Sequence, residues 1–294
     1  MPNQKKGIYL ILISTLCFSL MAMSVKLLGD LPNYEKIFFR NLTGLIISLI
    51  ILKKKNIPLI GNNKKLLLFR SIFGLLGVAS YFYSLSALPL SNAVILNKMS
   101  PIFVLIFASL FLSEKIKKMQ VPALMISLIG VVLIIKPGLG GDLKSHLIGL
   151  SSAIFAGCAY TIIRKLRLSD SSESIVFYFC LFSTIAMIPF ILIYGWTTPQ
   201  SAQWIYVILL GLFATCAQFA MTQAYRYAPA GELAIYSYAN IIFSTILGII
   251  IWSEIPDFWS IVGGVAIMLG GYINFLANKN NTSRPLNIIK KQAK

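Results

Sequence analysis

Residues 89–114 read PLSNAVILNKMSPIFVLIFASLFLSE, and residues 229–254 read PAGELAIYSYANIIFSTILGIIIWSE. Each segment opens on a proline, continues through a mainly apolar run and closes on Ser-Glu. About 20 such residues are what a helix needs to cross a bilayer. The two segments lie 140 positions apart, and the same offset pairs Gly130 with Gly270. The matches at helix boundaries indicate a duplicated membrane protein.

Composition extends this interpretation to the whole chain of 294 residues, of which 57% are apolar and 12% charged. An ordinary soluble domain has about 25% charged residues. Because only internally hydrogen-bonded backbone is stable in hydrocarbon, the apolar stretches predict transmembrane helices. Ten candidate spans are predicted, over 7–28, 35–52, 66–86, 91–112, 120–136, 146–165, 174–194, 203–225, 232–252 and 258–277. The predicted fold class is an all-α membrane protein.

The formal net charge of +17 reports topology rather than nucleic-acid binding. Nineteen of the 26 Lys and Arg residues fall in alternate connections and the tails, four in the other connections and three within spans. Basic residues are retained on the cytoplasmic side. Both termini are therefore expected in the cytoplasm, in a multi-pass protein of the cytoplasmic (inner) membrane with no nucleic-acid partner.

The duplication predicts two inverted five-helix repeats, since a unit with an odd number of spans must enter the membrane in the opposite sense the second time. The predicted boundaries are 1–140 and 141–280 for the repeats and 281–294 for a basic cytoplasmic tail. Inverted repeats place a binding site near the midplane between the halves and allow alternating access.

Several short motifs, taken in order, resemble the EamA-type members of the drug/metabolite transporter superfamily. They are Phe39-Arg40, Ala87-Leu88-Pro89-Leu90, Ser100-Pro101-Ile102-Phe103, Leu112-Ser113-Glu114-Lys115, Gly130-Val131-Val132-Leu133-Ile134 and Trp252-Ser253-Glu254. The resemblance covers nearly the whole chain and implies a secondary carrier of small metabolites. Phe39-Arg40, Arg70 and the stretch 83–89 resemble the branch that contains S-adenosylmethionine uptake carriers.

Lys98 is the ionisable residue predicted to lie deepest in a span, about eight residues into the fourth. Such residues are functional-site candidates because a charge in hydrocarbon is costly. Pro101 is expected to kink the helix and free the carbonyl of Asn97, which puts a cation, an amide and an unpaired carbonyl together. The alternative is that Lys98 snorkels or bonds structurally to a neighbouring helix.

Arg40 and Arg70 are the other basic residues within spans. Arg40 is a candidate substrate contact, with pairing to Glu35 or Asp30 as the alternative. Arg70 begins the third span, where snorkelling to lipid headgroups is expected.

Further hydrogen-bonding groups are expected at a similar depth. The offset of 140 carries Asn97, Lys98 and Ser100 onto Ser237, Tyr238 and Asn240. The predicted substrate-binding residues are Lys98, Asn97, Arg40, Tyr81, Tyr83, Gln218, Tyr236, Tyr238 and Asn240. Their side chains suggest a cavity that stacks a planar moiety and hydrogen-bonds a polar end.

Glu114 and Glu254 are expected to cap the start of the following helix rather than to couple transport to protons. Together with Pro101 they form the predicted hinge or structural set. The four cysteines are expected to be reduced packing residues, since no CxxC spacing occurs. No metal site, cofactor or catalytic residue is predicted, because the chain has no HExxH motif and its single histidine, His146, lies at a span boundary.

The predicted function is secondary transport of a small polar or zwitterionic organic metabolite, of amino-acid, S-adenosylmethionine or carboxylate type. The lipid bilayer and the small-molecule substrate are the expected partners, with a coupling proton or an exchanged metabolite left open. An intramembrane enzyme is excluded as a class, whereas a channel or a lipid flippase with the same fold stays open as the alternative.

Overall fold

The computed structural model describes residues 2–59, 61–112, 118, 120–136, 142–166, 168–227 and 230–279, and these ranges contain helices and no strand. The helices are α1 (Pro2–Leu27), α2 (Asn33–Lys54), α3 (Lys64–Ala87), α4 (Leu90–Asn97), α5 (Ser100–Leu112), α6 (Gln120–Ile135), α7 (Leu143–Leu166), α8 (Ser172–Tyr194), α9 (Gln203–Tyr227), α10 (Ala230–Ser237), α11 (Ala239–Trp252) and α12 (Phe258–Lys279). The predicted all-α class is confirmed.

Eight stretches of the described residues are long and apolar enough to cross a membrane. They are Lys5–Leu27, Lys64–Ala87, Leu90–Phe111, Leu143–Leu166, Ser172–Tyr194, Gln203–Tyr225, Ile235–Trp252 and Phe258–Ala277. The second and fifth predicted spans, which correspond to α2 and α6, are not among these eight stretches, each for its own physical reason. Helix α6 is apolar but only 16 residues long. Helix α2 holds at least three charged residues in every window of 18. The chain is a multi-pass helical membrane protein.

Side-chain contacts at the end of the bundle where α1 begins, here called the N-terminal end, join helix starts to helix ends. The Lys6 ammonium lies 4.8 Å from the centre of the Tyr227 ring, at the start of α1 and the end of α9. Lys55 Nζ donates to Glu173 Oε1 at 2.6 Å, which ties the end of α2 to the start of α8. Helices α1 and α9, and likewise α2 and α8, therefore run in opposite directions.

The opposite end of the bundle, here called the far end, is held by acidic side chains. Glu254, just after α11, pairs with Lys26 at the end of α1. Its Oε2 atom also accepts from the backbone N–H of Leu90, the first residue of α4, at 2.9 Å. Glu35 Oε1 accepts from the backbone N–H of Thr197 at 2.6 Å, between the start of α2 and the connection after α8.

Helices α6 and α12 pack against each other through glycines. A Cβ atom added to Gly130 would lie 2.6 Å from the carbonyl oxygen of Gly263, and one added to Gly263 would lie 2.6 Å from the carbonyl oxygen of Gly130. Gln120 Nε2 donates to Asn274 Oδ1 at 2.8 Å, between the start of α6 and the end of α12. Small residues let the two backbones approach closely, as is common between membrane helices.

The fourth and ninth predicted spans are each broken into two helices. The first break falls at Lys98 and Met99, between α4 and α5, three residues before Pro101. The second falls at Tyr238, between α10 and α11, which is the position 140 residues after Lys98. A proline explains the first break, since it lacks an N–H and its ring clashes with the preceding turn. The position matching Pro101 in the second half is Ile241.

Candidate functional site

A small cavity lies where the first helix break meets the middle of the bundle. Its walls come from α1, α2, α3, α7, α8, α9 and α11 and from Asn97 and Lys98 at the break. The cavity volume is about 70 Å³. Residues from both sequence halves therefore share one cavity.

Lys98 directly follows α4 as its C-cap, and it lines this cavity. Its backbone N–H still closes the last turn, donating to the Val94 carbonyl at 2.9 Å. The Nζ atom lies 5.8 Å from the centre of the Phe18 ring on α1. Beside it, Asn97 Nδ2 donates to Ser152 Oγ on α7 at 3.0 Å. The break thus presents a cation at the cavity while Asn97 fixes α4 against α7.

Arg40 and Arg70 share one aromatic ring on the cavity wall. The guanidinium carbon of Arg70 lies 3.9 Å from the centre of the Phe179 ring, and that of Arg40 lies 5.5 Å from it. Both arginines are buried, at 5% exposure for Arg40 and 2% for Arg70. Arg40 Nη1 donates to Asn41 Oδ1 at 2.8 Å, whereas Arg40 Nε and the Nε and Nη1 atoms of Arg70 have no hydrogen-bond partner.

Two further lining residues carry amides. Asn240 Nδ2 donates to the Thr15 carbonyl at 2.9 Å and to Ser19 Oγ at 2.6 Å, so Asn240 also ties α11 to α1. Gln218 on α9 is buried, and its Nε2 atom has no hydrogen-bond partner. Tyr81 on α3 completes the polar lining predicted from the sequence.

Six of the nine predicted substrate-binding residues line the cavity, namely Lys98, Asn97, Arg40, Tyr81, Gln218 and Asn240. Tyr83, Tyr236 and Tyr238 do not. Tyr238 lies at the second break, and its ring packs against α12. A Cβ atom added to Gly271 of α12 would overlap that ring. Tyr236 packs instead in an apolar cluster with residues of α1 and α9.

Arg70, Tyr160 and Phe179 also line the cavity, although none of them is among the nine predicted substrate-binding residues. Arg70 does not snorkel to the bundle surface as expected, because α3 packs against α8 and buries it. The spacing of four residues between Arg70 and Gly74 is a sequence feature that could have indicated space for the Arg70 side chain along its own helix. Residues four apart lie on one helix face, and a Cβ atom added to Gly74 would lie 2.6 Å from Arg70 Nη1 and 2.9 Å from the Phe179 ring.

None of the described residues that line the cavity is acidic. Glu35, the predicted alternative partner of Arg40, bonds the Thr197 backbone instead. Glu173 pairs with Lys55 and Asp257 with Lys136, both away from the cavity. Within the described part of the chain, the three cations of the cavity have no carboxylate partner.

The predicted hinge and structural residues have distinct outcomes. Pro101 lies in the first turn of α5, directly after the break. Glu254 contacts a helix start as expected, but that helix is α4 rather than the following one. Ser253 has a positive φ of 54°, which ends α11 and directs the next residue back toward Leu90. Glu114 lies outside the described residues.

Comparison with known proteins gives this architecture a context. The chain is 32% identical over 268 residues to the pseudopaline exporter CntI of Pseudomonas aeruginosa, covering 90% of this chain and 94% of that protein. It is 27% identical over 270 residues to the S-adenosylmethionine uptake transporter of Rickettsia bellii, covering 89% and 90%. A solved crystal structure with 16% sequence identity shares the fold, with a TM-score of 0.71 over 94% of this chain and 99% of that one.

The family comparison covers nearly the whole chain. The sequence model of the EamA-like transporter family matches residues 5–136 and again residues 143–276. These matches and the apolar helices identify a multi-pass transport protein rather than an enzyme. The chain belongs to the EamA-like transporter family.

Proposed function

We propose that the protein is a secondary transporter that moves a small polar or zwitterionic organic metabolite across the cytoplasmic membrane by alternating access. One observation carries the proposal. The cavity opens at a helix break, and a second break lies at the corresponding position of the other half. Discontinuous helices in paired positions are typical of transporter binding sites.

The proposed architecture has ten membrane crossings in two inverted five-helix halves. Each broken pair, α4 with α5 and α10 with α11, counts as one crossing. The contacts at the two ends of the bundle support antiparallel crossings. The repeated match of the family supports two halves, and the distribution of basic residues supports cytoplasmic termini.

Alternating access also requires a barrier at each end of the cavity. At the N-terminal end the rings of Tyr160 and Tyr225 meet edge to face, with their centres 6.5 Å apart. At the far end, Lys26 and Leu90 from the first half meet Glu254 from the second. Opening and closing these contacts in turn would expose the cavity to one side of the membrane and then to the other.

The test is counterflow in proteoliposomes, with candidate cargoes chosen first by thermal stabilisation of the purified protein. The panel comprises amino acids, di- and tricarboxylates, nucleotides, S-adenosylmethionine and vitamins. A carrier shows faster uptake of labelled cargo when unlabelled cargo is inside. Flux of the cargo without trans-stimulation would indicate a channel, and scrambling of labelled lipid in its place would indicate a flippase.

Lys98→Ala is the matched test of the site, with Lys55→Ala as the control. Lys55 lies at the bundle end and its side chain is 54% exposed. Stabilisation by the cargo should be lost with Lys98→Ala and kept with Lys55→Ala. A cargo that stabilises both variants as it stabilises the unmodified protein would place binding elsewhere.

A further inference from the structure

The cavity contains buried hydrogen-bonding groups that the protein itself leaves unused. The unpaired buried atoms among its lining residues are Arg40 Nε, Arg70 Nε, Arg70 Nη1 and Gln218 Nε2. All four are nitrogen donors. A buried polar group without a partner destabilises the protein, and the cost is greater if the group is charged. A ligand that fits this cavity must therefore supply acceptors.

The charges in the cavity restrict the ligand further: it must supply negative charge as well as hydrogen-bond acceptors. Arg40, Arg70 and Lys98 bring three cations to a cavity in which no described lining residue carries a carboxylate. The ring of Phe179 offsets part of the cost of burying the two arginines through cation–π contact. Removing an unpaired charge from water costs more than one such contact returns. One shared ring leaves most of that cost uncompensated.

The arrangement also divides the positive charge between two places. Arg40 and Arg70 converge on Phe179, on the side of the cavity formed by α2, α3 and α8. Lys98 faces Phe18 of α1 at the first helix break. A guanidinium offers a planar fork that binds a carboxylate through two parallel hydrogen bonds, whereas an ammonium acts as a point charge. Two different anion subsites thus lie on one cavity.

We infer that the cargo is an organic polyanion with at least two carboxylate-type groups, one bound by Arg40 and Arg70 over Phe179 and another bound by Lys98. This inference rests on the proposed transport function and narrows its substrate class. A cargo with a single carboxylate leaves one subsite unpaired. A cationic cargo is repelled by all three side chains.

The test uses a series of nearly equal shape in which amides replace carboxylates. Succinate carries two carboxylates, succinamate one and succinamide none, while tricarballylate extends the series to three. Binding is measured as thermal stabilisation of the full-length protein at constant ionic strength. We expect apparent affinity to rise at least tenfold from succinamate to succinate, since a charge-assisted hydrogen bond contributes about that much or more. Tricarballylate should bind at least as tightly as succinate.

Arg70→Gln should remove the difference between succinate and succinamate, and Lys55→Gln, which removes the same charge outside the cavity, should preserve it. Should Arg70→Gln fail to fold, Arg70→Lys retains the charge and loses the fork. It should keep the ranking with weaker binding. Gln218→Glu places a carboxylate in the cavity and should weaken succinate binding at least tenfold. Equal binding of succinate, succinamate and succinamide, no binding of any member, or unchanged selectivity in Arg70→Gln and Gln218→Glu would overturn the inference.

Counterflow separates this inference from the transport proposal. Trans-stimulation by a neutral or cationic metabolite would support the transport proposal and refute the polyanionic cargo. Tight binding of succinate or tricarballylate without transport of any compound would support the anion subsites and refute the transport proposal.

Discussion

The contact between Lys26 and Glu254 predicts a measurable coupling between the two sequence halves. Their side chains are 15% and 24% exposed, so the pair is neither fully solvated nor fully buried. Exposed pairs contribute about 0.2–1 kcal/mol, and breaking a buried one costs about 3–5 kcal/mol. Glu254 also accepts from the first N–H of α4, where a negative charge adds about 0.3–1 kcal/mol. We expect Glu254→Gln to lower the free energy of unfolding by about 1–3 kcal/mol.

A double-mutant cycle with Lys26→Met isolates the pair. Unfolding is followed by tryptophan fluorescence in mixed micelles for the unmodified protein, each single variant and the double variant. The coupling energy should be about 1–2 kcal/mol, because each single change leaves the other charge partly buried. Glu254→Gln should keep transport measurable in the folded fraction. A coupling below about 0.5 kcal/mol would refute the stabilising contact.

Three further predictions address other contacts. Mild oxidation should cross-link α1 to α9 through Cys17 and Cys216, whose sulfur atoms lie 3.5 Å apart, and Cys17→Ser should abolish the cross-link seen as a fragment shift after proteolysis between the two helices. Gly263→Ala should destabilise the protein by about 1–3 kcal/mol because its Cβ would meet backbone of α6 at 2.6 Å. Gly264→Ala, which meets only a flexible side chain at 3.2 Å, should have less effect in the same unfolding assay. Burial raises the pKa of Asp257, but hydrogen bonds from the end of α6 and the first turn of α12 outweigh it and lower the pKa overall. The resulting stability is present above about pH 4 and is lost as the pH falls through the folded-state pKa, so Asp257→Asn should flatten the acid limb of an unfolding profile.

The sequence was sufficient to predict the helical class and most of the polar residues that line the cavity. The importance of Lys98 and Pro101 could be predicted because a charge within an apolar run and a proline within a helix each have a strong physical consequence. Arg40 could be predicted as a site residue because it too is a charge within an apolar run. Such signals depend on the local chain alone.

The remaining site residues depend on tertiary packing. Arg70 begins a span in the sequence, and only the packing of α3 against α8 turns it toward the cavity. Tyr238 was expected at the site because the offset of 140 matches it to Lys98, yet the break directs its ring toward α12. Phe179 is one of 19 phenylalanines, and nothing local distinguishes it. Side-chain direction at a break and contacts between distant helices are not encoded in a spacing pattern.

The two helix breaks differ in the hydrogen bonds that the covalent structure allows across them. Pro101 has no N–H, so one helical hydrogen bond is missing there in any conformation. At the second break every residue retains its N–H, and Ile241 donates to the Tyr238 carbonyl at 2.9 Å in a tighter turn. The covalent structure therefore allows residues 238–242 to form the ordinary helical hydrogen bonds, which would join α10 and α11 into one helix. Proline limits the hydrogen bonding at one break and not at the other, a difference that amide hydrogen exchange at residues 238–242 would report.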